Sequence, residues 1–420
     1  MRRALAILAV VIAAALCALL GLDLRRARPD SPPQLITELH GEGQLRVGAG
    51  KAEIAVPYPV VPAGYGPLQR HQVTGAAQPQ MARALSLQVG AAKLTLVSVD
   101  LLEIDSRLLA DLRPRLPADA GAVWVCATHT HSGMGNYDPN LLAQLAGTGR
   151  YKPAAREALL AAMVQSVAAA TADRALRALE ARRGIETSTA DRSRSSDAPD
   201  RDSVELSFVA DGLPRLGIIE FAAHPTTVPR PAQRLDADFP GRIEAAGPGE
   251  LRLFLQGAEG NAGAPRGQPH FGDSIRRIDP PLALASASLA LPPIAIHTGP
   301  RWTRRGAANL VDRLAAPQTA TLSVARLGPL TFVAVPGEPT AAAGRLMKAA
   351  VGDPDAIVLG LCNGYLGYIE TPDRVDRNVG ETPRQYFDAS LLGRLTSAAH
   401  LASSALDVSA QPRVASPTSR

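Results

Sequence analysis

The sequence predicts an α/β fold: a single domain in which a mixed β-sheet core is flanked by helices and preceded by an N-terminal hydrophobic helix. Short apolar runs typical of buried strands recur along the chain, with alanine- and leucine-rich helical segments between them. Several of these runs end in a polar residue or a glycine-rich turn, as strands do in α/β proteins. A length of 420 residues with 46% hydrophobic content is enough for one large core.

The first 28 residues have the pattern of an export segment. Met1–Arg3 is basic, and the 19-residue apolar run Ala4–Leu22 is long enough to span a bilayer as a helix. Because no clear cleavage site follows, we expect an uncleaved membrane anchor, with a cleaved signal peptide as the alternative. Residues 29–44 are predicted to be a linker. The protein is expected to be exported to the periplasmic side of a bacterial membrane, either anchored or secreted.

Residues 45–406 are predicted to form the single domain, followed by a disordered tail at residues 407–420. Apolar and β-branched runs predict strands at Val47–Val56, Ala82–Val89, Leu94–Leu102, from Val123 onward, Val204–Phe208, Leu216–Phe221, Leu251–Gln256, Leu330–Val335 and Ala356–Gly360. Helical patterns lie at Leu108–Leu116, Pro153–Arg182, after Thr340 and at Asp388–Ala405.

Composition and charge exclude some function classes. The net charge is +5, but the basic residues are scattered and aromatic residues make up only 4%, so no nucleic-acid interface is predicted. An anionic membrane surface is the expected partner instead, and no obligate protein partner is evident. Cys126 and Cys362 lie in apolar runs and are predicted to be buried thiols rather than a disulfide. No CxxC pair is present, so a thiolate zinc site is not expected.

The stretch Val123–Gly135 carries the clearest chemical signal. It begins as an apolar strand and ends in a polar, glycine-containing turn that holds His129 and His131. Residues two apart on an extended strand point the same way. The two imidazoles could therefore bind one metal ion, or one could bind metal while the other faces a substrate. Two polar histidines near a turn, without a functional role, are the simpler interpretation.

Other apolar runs deliver further candidates at their ends. His224 follows the second strand of a predicted hairpin, Glu338 follows another strand, and Tyr368 lies in a tyrosine-rich segment after the run ending at Gly360. Two neutral imidazoles and a carboxylate form an open zinc site that leaves a position for water. Asp100 lies within an apolar run and is expected either to orient a histidine or metal, or to cap a turn.

These segments together resemble the neutral/alkaline non-lysosomal ceramidases. The matching stretches follow the family's order across residues 45–400, and they are Ser98–Leu102, Ala127–Gly133, Ala223–Thr226, Val335–Glu338 and Gly360–Tyr368. The Thr-His-Thr-His-Ser-Gly and tyrosine stretches are specific, whereas Pro-Gly-Glu alone is not. The resemblance is to the catalytic domain, since the family's immunoglobulin-like C-terminal domain has no counterpart in this sequence.

The resemblance implies a zinc-dependent hydrolase that uses zinc-activated water to cleave the N-acyl (amide) linkage of ceramide or a related lipid amide. It implies four zinc ligands, which are His129, His224, Glu338 and Tyr368. It also implies catalytic residues, His131 and Arg192, and substrate-binding residues, Asn261, Gly263 and Tyr365. Gly263 replaces the serine of the family's loop, so no hydroxyl is available there to position a ceramide head group.

Two other functions fit the same residues. The first is a non-catalytic, exported lipid- or envelope-binding protein that retains the ceramidase fold, which the missing serine favours. The second is a binuclear metallohydrolase of the metallo-β-lactamase type, which also has Thr-His-x-His. That motif continues to Asp-His, whereas Ser132–Gly135 follows here. Strand-end polar residues with no common site are the remaining interpretation.

Overall fold

A computed structural model describes residues 2–20, 22–64, 66, 70–189, 197–245, 250–267, 269–272, 276–278, 281–314 and 316–408. Its helices are α1 (Arg2–Leu20), α2 (Ser106–Leu112), α3 (Leu141–Ala143), α4 (Pro153–Ala172), α5 (Asp238–Glu244), α6 (Arg301–Leu314), α7 (Ala341–Ala350), α8 (Pro372–Arg377) and α9 (Leu391–Val408). Its strands are β1 (Gln34–Gly41), β2 (Leu45–Glu53), β3 (Met81–Val89), β4 (Ala92–Val99), β5 (Ala122–Ala127), β6 (Ala175–Leu176), β7 (Ala178–Ile185), β8 (Asp202–Val209), β9 (Leu216–Phe221), β10 (Leu251–Gln256), β11 (His270–Phe271), β12 (Arg276–Ile278), β13 (Leu282–Ala290), β14 (Thr319–Leu327), β15 (Leu330–Ala334), β16 (Glu338–Pro339), β17 (Ile357–Leu359) and β18 (Tyr368–Ile369).

Three mixed sheets form the body of the fold. Their strand orders are β1-β13-β14-β15-β17, β10-β9-β8-β7-β11 with β12 also paired to β7, and β5-β4-β3-β2-β6. Each sheet combines antiparallel neighbours with one parallel pair, which is β15/β17, β9/β10 or β4/β5 respectively. The short strands β16 and β18 form a separate parallel pair. The predicted α/β class with a mixed-sheet core flanked by helices is therefore confirmed.

The inner faces of the three sheets share one apolar core. Leu85 and Trp124 come from the third sheet, Phe208 and Leu253 from the second, and Phe332 from the first. Burying a side chain of this size stabilises the fold by roughly 1.5–3 kcal/mol. The outer faces are covered by α2 and α4 on the third sheet, α7 and α9 on the first, and α5 against β10. Packing in this shared core therefore fixes the three sheets relative to one another.

The parallel pairs bring the predicted site residues to one end of the sheets. His129 follows β5, His224 follows β9 and Glu338 follows β15, and each of these strands runs parallel to a neighbour. The segment that contains Tyr368 follows β17. These strands belong to three different sheets, and the shared core holds their carboxyl ends on the same side. Loops at strand carboxyl ends are where α/β proteins place functional groups.

The helix predicted at Pro153–Arg182 is shorter than expected. α4 ends at Ala172, and β7 begins six residues later at Ala178. Leu179 and Ala181 are buried in the core, while the residues on either side of them are more exposed. That alternation is the pattern of a strand with one buried face. The alanine-rich composition concealed it, because alanine also favours helix.

Part of the predicted linker is a strand. Residues 34–41 form β1, which pairs antiparallel with β13 at the edge of the first sheet. Most of its side chains are exposed or only partly buried, and Leu35 and Ile36 face solvent. Such an edge strand is held by backbone hydrogen bonds rather than by burial, so its sequence carries little apolar signal. The predicted tail beyond residue 408 lies outside the described residues.

The N-terminal helix α1 lies against α6, and the residues after it are tied to that helix. The Asn309 side chain accepts a hydrogen bond from the Leu24 amide (3.0 Å) and donates one to the Leu22 carbonyl (3.0 Å). Asp312 accepts from the Arg26 amide at 2.7 Å and also pairs with Arg28. In the described part of the chain, no helix is both long and apolar enough to cross a bilayer. The anchor or signal segment stays a prediction.

Asp100 belongs to a buried ion network rather than to the histidine sites. Its Oδ2 atom accepts hydrogen bonds from the Met81 amide (2.8 Å) and from Arg83 (3.1 Å). Arg83 also lies 2.6 Å from Glu244 Oε2, so one guanidinium bridges two buried carboxylates. Glu244 in turn accepts from the hydroxyl of Ser98 at 2.8 Å. The network links β3, β4 and α5 beneath the strand ends.

Glu244 makes the stability of the fold depend on pH. Burial raises the pKa of its carboxyl to about 7 from an ordinary 4.5, although Arg83 opposes the shift. The folded state therefore binds this proton more tightly than the unfolded chain, and the associated stability is lost as pH rises between those two values. We expect Glu244→Gln to flatten the pH profile of the unfolding free energy in that window, measured by urea denaturation. An unchanged slope in the variant would contradict this assignment.

Candidate metal centre

His129 is positioned by the turn that ends β5. Its backbone has φ of 68°, a left-handed conformation that costs a residue other than glycine roughly 1–2 kcal/mol. The ring Nδ1 lies 2.7 Å from the carbonyl oxygen of Leu102. Because a carbonyl only accepts hydrogen bonds, Nδ1 carries the proton and Nε2 keeps a free electron pair. The surrounding fold thus holds a strained residue in the tautomer that can bind a metal.

His224 approaches from the end of β9. Its side chain is fully buried, and its backbone amide donates to the carbonyl of Gly263 at 2.8 Å. The ring Nε2 lies 3.1 Å from the hydroxyl oxygen of Tyr368 and 3.4 Å from Glu338 Oε2. β9 itself ends at Phe221, and Pro225 directly after His224 has no backbone N–H with which to rejoin a sheet. The imidazole of His224 therefore meets the groups that arrive from the other strand ends.

Glu338 and Tyr368 face each other across the short parallel pair of β16 and β18. The Tyr365 hydroxyl donates to Glu338 Oε1 at 2.8 Å. The other oxygen, Oε2, lies 3.4 Å from Nε2 of His129 and at the same distance from Nε2 of His224. Burial alone would raise the pKa of Glu338, but the two imidazoles outweigh it and hold the pKa well below its usual range. The carboxylate is therefore ionised and aimed between two imidazole nitrogens.

This donor set fits a divalent metal ion. His129 Nε2 and Glu338 Oε2 are both buried without a hydrogen bond, although a buried polar atom normally has one. Ligand nitrogens of His129, His131 and His224 all lie within 4.8 Å of one another. Imidazole nitrogen and carboxylate oxygen are ligands that zinc accepts, and the Tyr368 hydroxyl is within reach of the same point.

His131 is the third imidazole of the group, and it has a different set of contacts. Its Nδ1 lies 3.0 Å from the carbonyl oxygen of Gly64, which fixes the proton on that nitrogen. Its Nε2 is buried and makes no hydrogen bond. Burial, together with the nearby His129 ring, lowers the pKa of His131 to about 3. The ring is neutral at physiological pH, with an electron pair available on Nε2.

Gln256 is a positioning residue that the sequence did not reveal. The side-chain amide of this fully buried residue donates to the carbonyl of Thr128 (3.0 Å) and to that of Ala223 (2.8 Å). These two residues directly precede His129 and His224. One amide thus fixes the distance between the two histidine-bearing strand ends. The only local signal was a polar residue at the end of the apolar run Leu251–Gln256.

The prediction of free thiols at Cys126 and Cys362 was wrong, because the two form a disulfide. Both sulfur-bearing residues are buried, and their backbones pair as an antiparallel bridge. The segment around Cys362 also donates backbone hydrogen bonds to Val335 and Gly337, just before Glu338. The disulfide therefore joins the strand that precedes His129 to a segment in contact with the other ligand-bearing loops.

The predicted substrate-binding residues lie near the histidines but make different kinds of contact, and one predicted catalytic residue is not described. Asn261 is fully buried. Its side-chain amide donates hydrogen bonds to the carbonyls of Asp197 and Ala198 and accepts one from the backbone amide of Ala341, so it holds these backbone segments together. Gly263 lies beside His224 through the backbone hydrogen bond described above. The Tyr365 hydroxyl is hydrogen-bonded to Glu338. Arg192 lies outside the described residues.

Two residues that the sequence did not single out lie beside the tyrosines. The Cζ atom of Arg384 is 5.7 Å from the ring centroid of Tyr368. Tyr386 is partly exposed, and burial together with the charge of Glu338 raises the pKa of its hydroxyl. A bridge between Gly367 and Gln385 holds this segment against the tyrosine loop. Nothing in the local sequence pattern indicates that the turn after α8 returns to the site.

Comparison with solved structures identifies the same fold in two ceramidases. Neutral ceramidase from Pseudomonas aeruginosa aligns with a TM-score of 0.74 and 20% identity, over 87% of this chain and 75% of that chain. A ceramidase complexed with C2 aligns with a TM-score of 0.72 and 19% identity, over 87% of this chain and 76% of the other. The sequence matches no protein-family model and no curated protein. The protein therefore has the fold of the neutral ceramidases, as the sequence resemblance predicted.

Proposed function

We propose that the protein is a zinc-dependent amidohydrolase of ceramidase type that cleaves the N-acyl linkage of ceramide or a related lipid amide. The observation that carries this proposal is the convergence of His129, His224 and Glu338 in one buried cluster beside a neutral His131. The ceramidase fold supports it. Because fold alone does not imply function, the donor set and its tautomers are the stronger argument.

His129, His224, Glu338 and Tyr368 would hold the zinc ion. When bound, zinc would supply Lewis acidity, which polarises an amide carbonyl and makes water a better nucleophile near neutral pH. Tyr365 keeps one oxygen of Glu338 engaged, so the other oxygen stays directed at the imidazoles. Partners of this kind orient metal ligands and tune their affinity.

His131 is suited to move the proton in this reaction. Its neutral Nε2 accepts a proton from water as the new carbon–oxygen bond forms at the amide carbonyl. The same nitrogen then gives the proton to the departing amide nitrogen as the carbon–nitrogen bond breaks. The products are a fatty acid and a free amine. The hydrogen bond from Nδ1 to Gly64 keeps the ring in the orientation that both transfers need.

We also infer that the protein acts outside the cytoplasm, at a membrane surface. Disulfides such as Cys126–Cys362 persist mainly in oxidising compartments, which suits the predicted export segment. The net charge of +5 favours a surface that carries anionic lipids. Lipid amides would be presented to the enzyme at such a surface.

The test is product analysis together with a metal count. Purified protein is incubated with a panel of ceramides and other N-acyl amines, with and without chelator, and the products are separated by liquid chromatography. We expect about one zinc ion per chain, and turnover that chelator stops and added zinc restores. Lipid binding without turnover would favour the non-catalytic alternative, and two metal ions per chain would favour a binuclear hydrolase.

A further inference from the structure

We propose that Arg384 binds a carboxylate on the substrate, and that the preferred substrates are therefore N-acyl amino acids rather than neutral ceramides. This inference rests on the proposed function, because it concerns the same site. It assigns to Arg384 the role of a specificity-determining residue. The amide would be cleaved to a fatty acid and an amino acid, with the same proton transfers as above.

The position of Arg384 is the first argument. The bridge between Gly367 and Gln385 brings the turn after α8 alongside Tyr368. The guanidinium carbon then lies 5.7 Å from the centre of the Tyr368 ring. The hydroxyl of that ring is within hydrogen-bonding reach of the guanidinium and lies 3.1 Å from His224 Nε2, so the cation stands directly beside a proposed metal ligand.

The charge of Arg384 is the second argument. In the described part of the chain, no carboxylate forms an ion pair with this guanidinium, which is partly exposed. Its neighbours on α8 differ, because Arg374 pairs with Asp197 and Arg377 pairs with Asp373. The carboxylates of Glu338 and Glu381 act on this charge from beyond ion-pair distance, so no carboxylate of the described residues pairs with it directly.

The rest of the site favours an anionic over a hydroxylated head group. Gly263, next to His224, offers no hydroxyl to a neutral sphingoid head group.

The dimensions agree with an N-acyl amino acid. In such a compound the carboxylate carbon is three bonds from the scissile carbonyl carbon, which is roughly 4 Å at full extension. A carbonyl bound between the imidazoles and Tyr368 would leave the carboxylate within reach of the guanidinium beside the Tyr368 hydroxyl. Arginine is the side chain best matched to a carboxylate, because its planar fork can donate two parallel hydrogen bonds.

The test compares two substrates that differ in charge. N-dodecanoylglycine and N-dodecanoylethanolamine have the same acyl chain and nearly the same size, but only the first carries a carboxylate. We expect the wild-type kcat/KM to favour the glycine conjugate by at least about tenfold, as a charge-assisted hydrogen bond provides. In Arg384→Gln that ratio should fall to near one. In the control Arg377→Gln, which removes an exposed arginine paired on α8, it should not change.

The outcomes separate this inference from the proposed function. Equal wild-type efficiency on both compounds, or an unchanged ratio in Arg384→Gln, would overturn the role of Arg384 while leaving amidase activity in place. A structural role would instead lower zinc content or reduce both efficiencies equally. If neither compound nor any ceramide of the panel is hydrolysed, the proposed function has failed. Calorimetric binding of both compounds to wild type and Arg384→Gln would then decide whether Arg384 recognises the carboxylate.

Discussion

Replacing His129 with alanine is expected to remove the bound metal and the hydrolytic activity together. The substitution deletes the Nε2 atom that lies 3.4 Å from Glu338 Oε2 and leaves a buried carboxylate with one imidazole fewer to balance it. A metal ion contributes several kcal/mol to an amide-hydrolysis transition state, so kcat/KM should fall by at least about 10³-fold. Metal content by atomic emission and turnover of the best N-acyl substrate are measured on the same preparation.

The matched control is His270→Ala. This histidine lies in β11 and is exposed, so the change removes the same chemical group from elsewhere in the fold. It should leave metal content and kcat/KM at wild-type values. Full zinc retention with wild-type activity in His129→Ala would disprove the metal centre, even if the protein remains a lipid-binding module.

The members of the site could be predicted because each follows an apolar run. His129, His224 and Glu338 lie just beyond strand-like segments, and strand carboxyl ends are where α/β proteins place functional groups. The three strands belong to three different sheets, which meet in one core. The strand pattern indicates where strands end, whereas the packing of the three sheets decides that these ends meet. The three side chains lie together even though the helix before β7 was misplaced and β1 was assigned to a linker. Those errors affect the periphery of the sheets and not their carboxyl ends.

The groups that support the site could not be predicted in this way. Gln256, Arg384 and the Cys126–Cys362 pair act through contacts between segments far apart in sequence. The order of strands in the sheets and the paths of the loops decide which segments come into contact. Neither can be read from the local sequence. An apolar run is equally suited to a free buried thiol and to half of a disulfide, so only the pairing of backbones distinguishes the two. The sequence therefore indicates the ligands more reliably than the groups that hold them.

Removal of the Cys126–Cys362 disulfide is expected to cause the largest loss of stability. The bridge closes a loop with a sequence separation of 236. Restricting an unfolded chain over so long a loop is worth roughly 5 kcal/mol in the chain-entropy model. The double variant Cys126→Ala with Cys362→Ala should lose an amount of that order in unfolding free energy. Urea denaturation with chelator present measures this, because removing the metal separates the cross-link from metal stabilisation.

The same double variant should also bind zinc more weakly while still folded. Cys126 precedes His129 by three residues, and Tyr365 and Tyr368 follow Cys362 closely, so the bridge limits the relative motion of both ligand-bearing segments. Loss of a group that orients metal ligands typically costs about 10–100-fold in affinity. Competition with a chelator of known affinity measures that change. The chain has three cysteines, and Cys17→Ala, which removes the one outside the bridge, serves as the control for losing a cysteine. Unaltered zinc affinity in a destabilised variant would mean that the bridge holds the sheets together without shaping the metal centre.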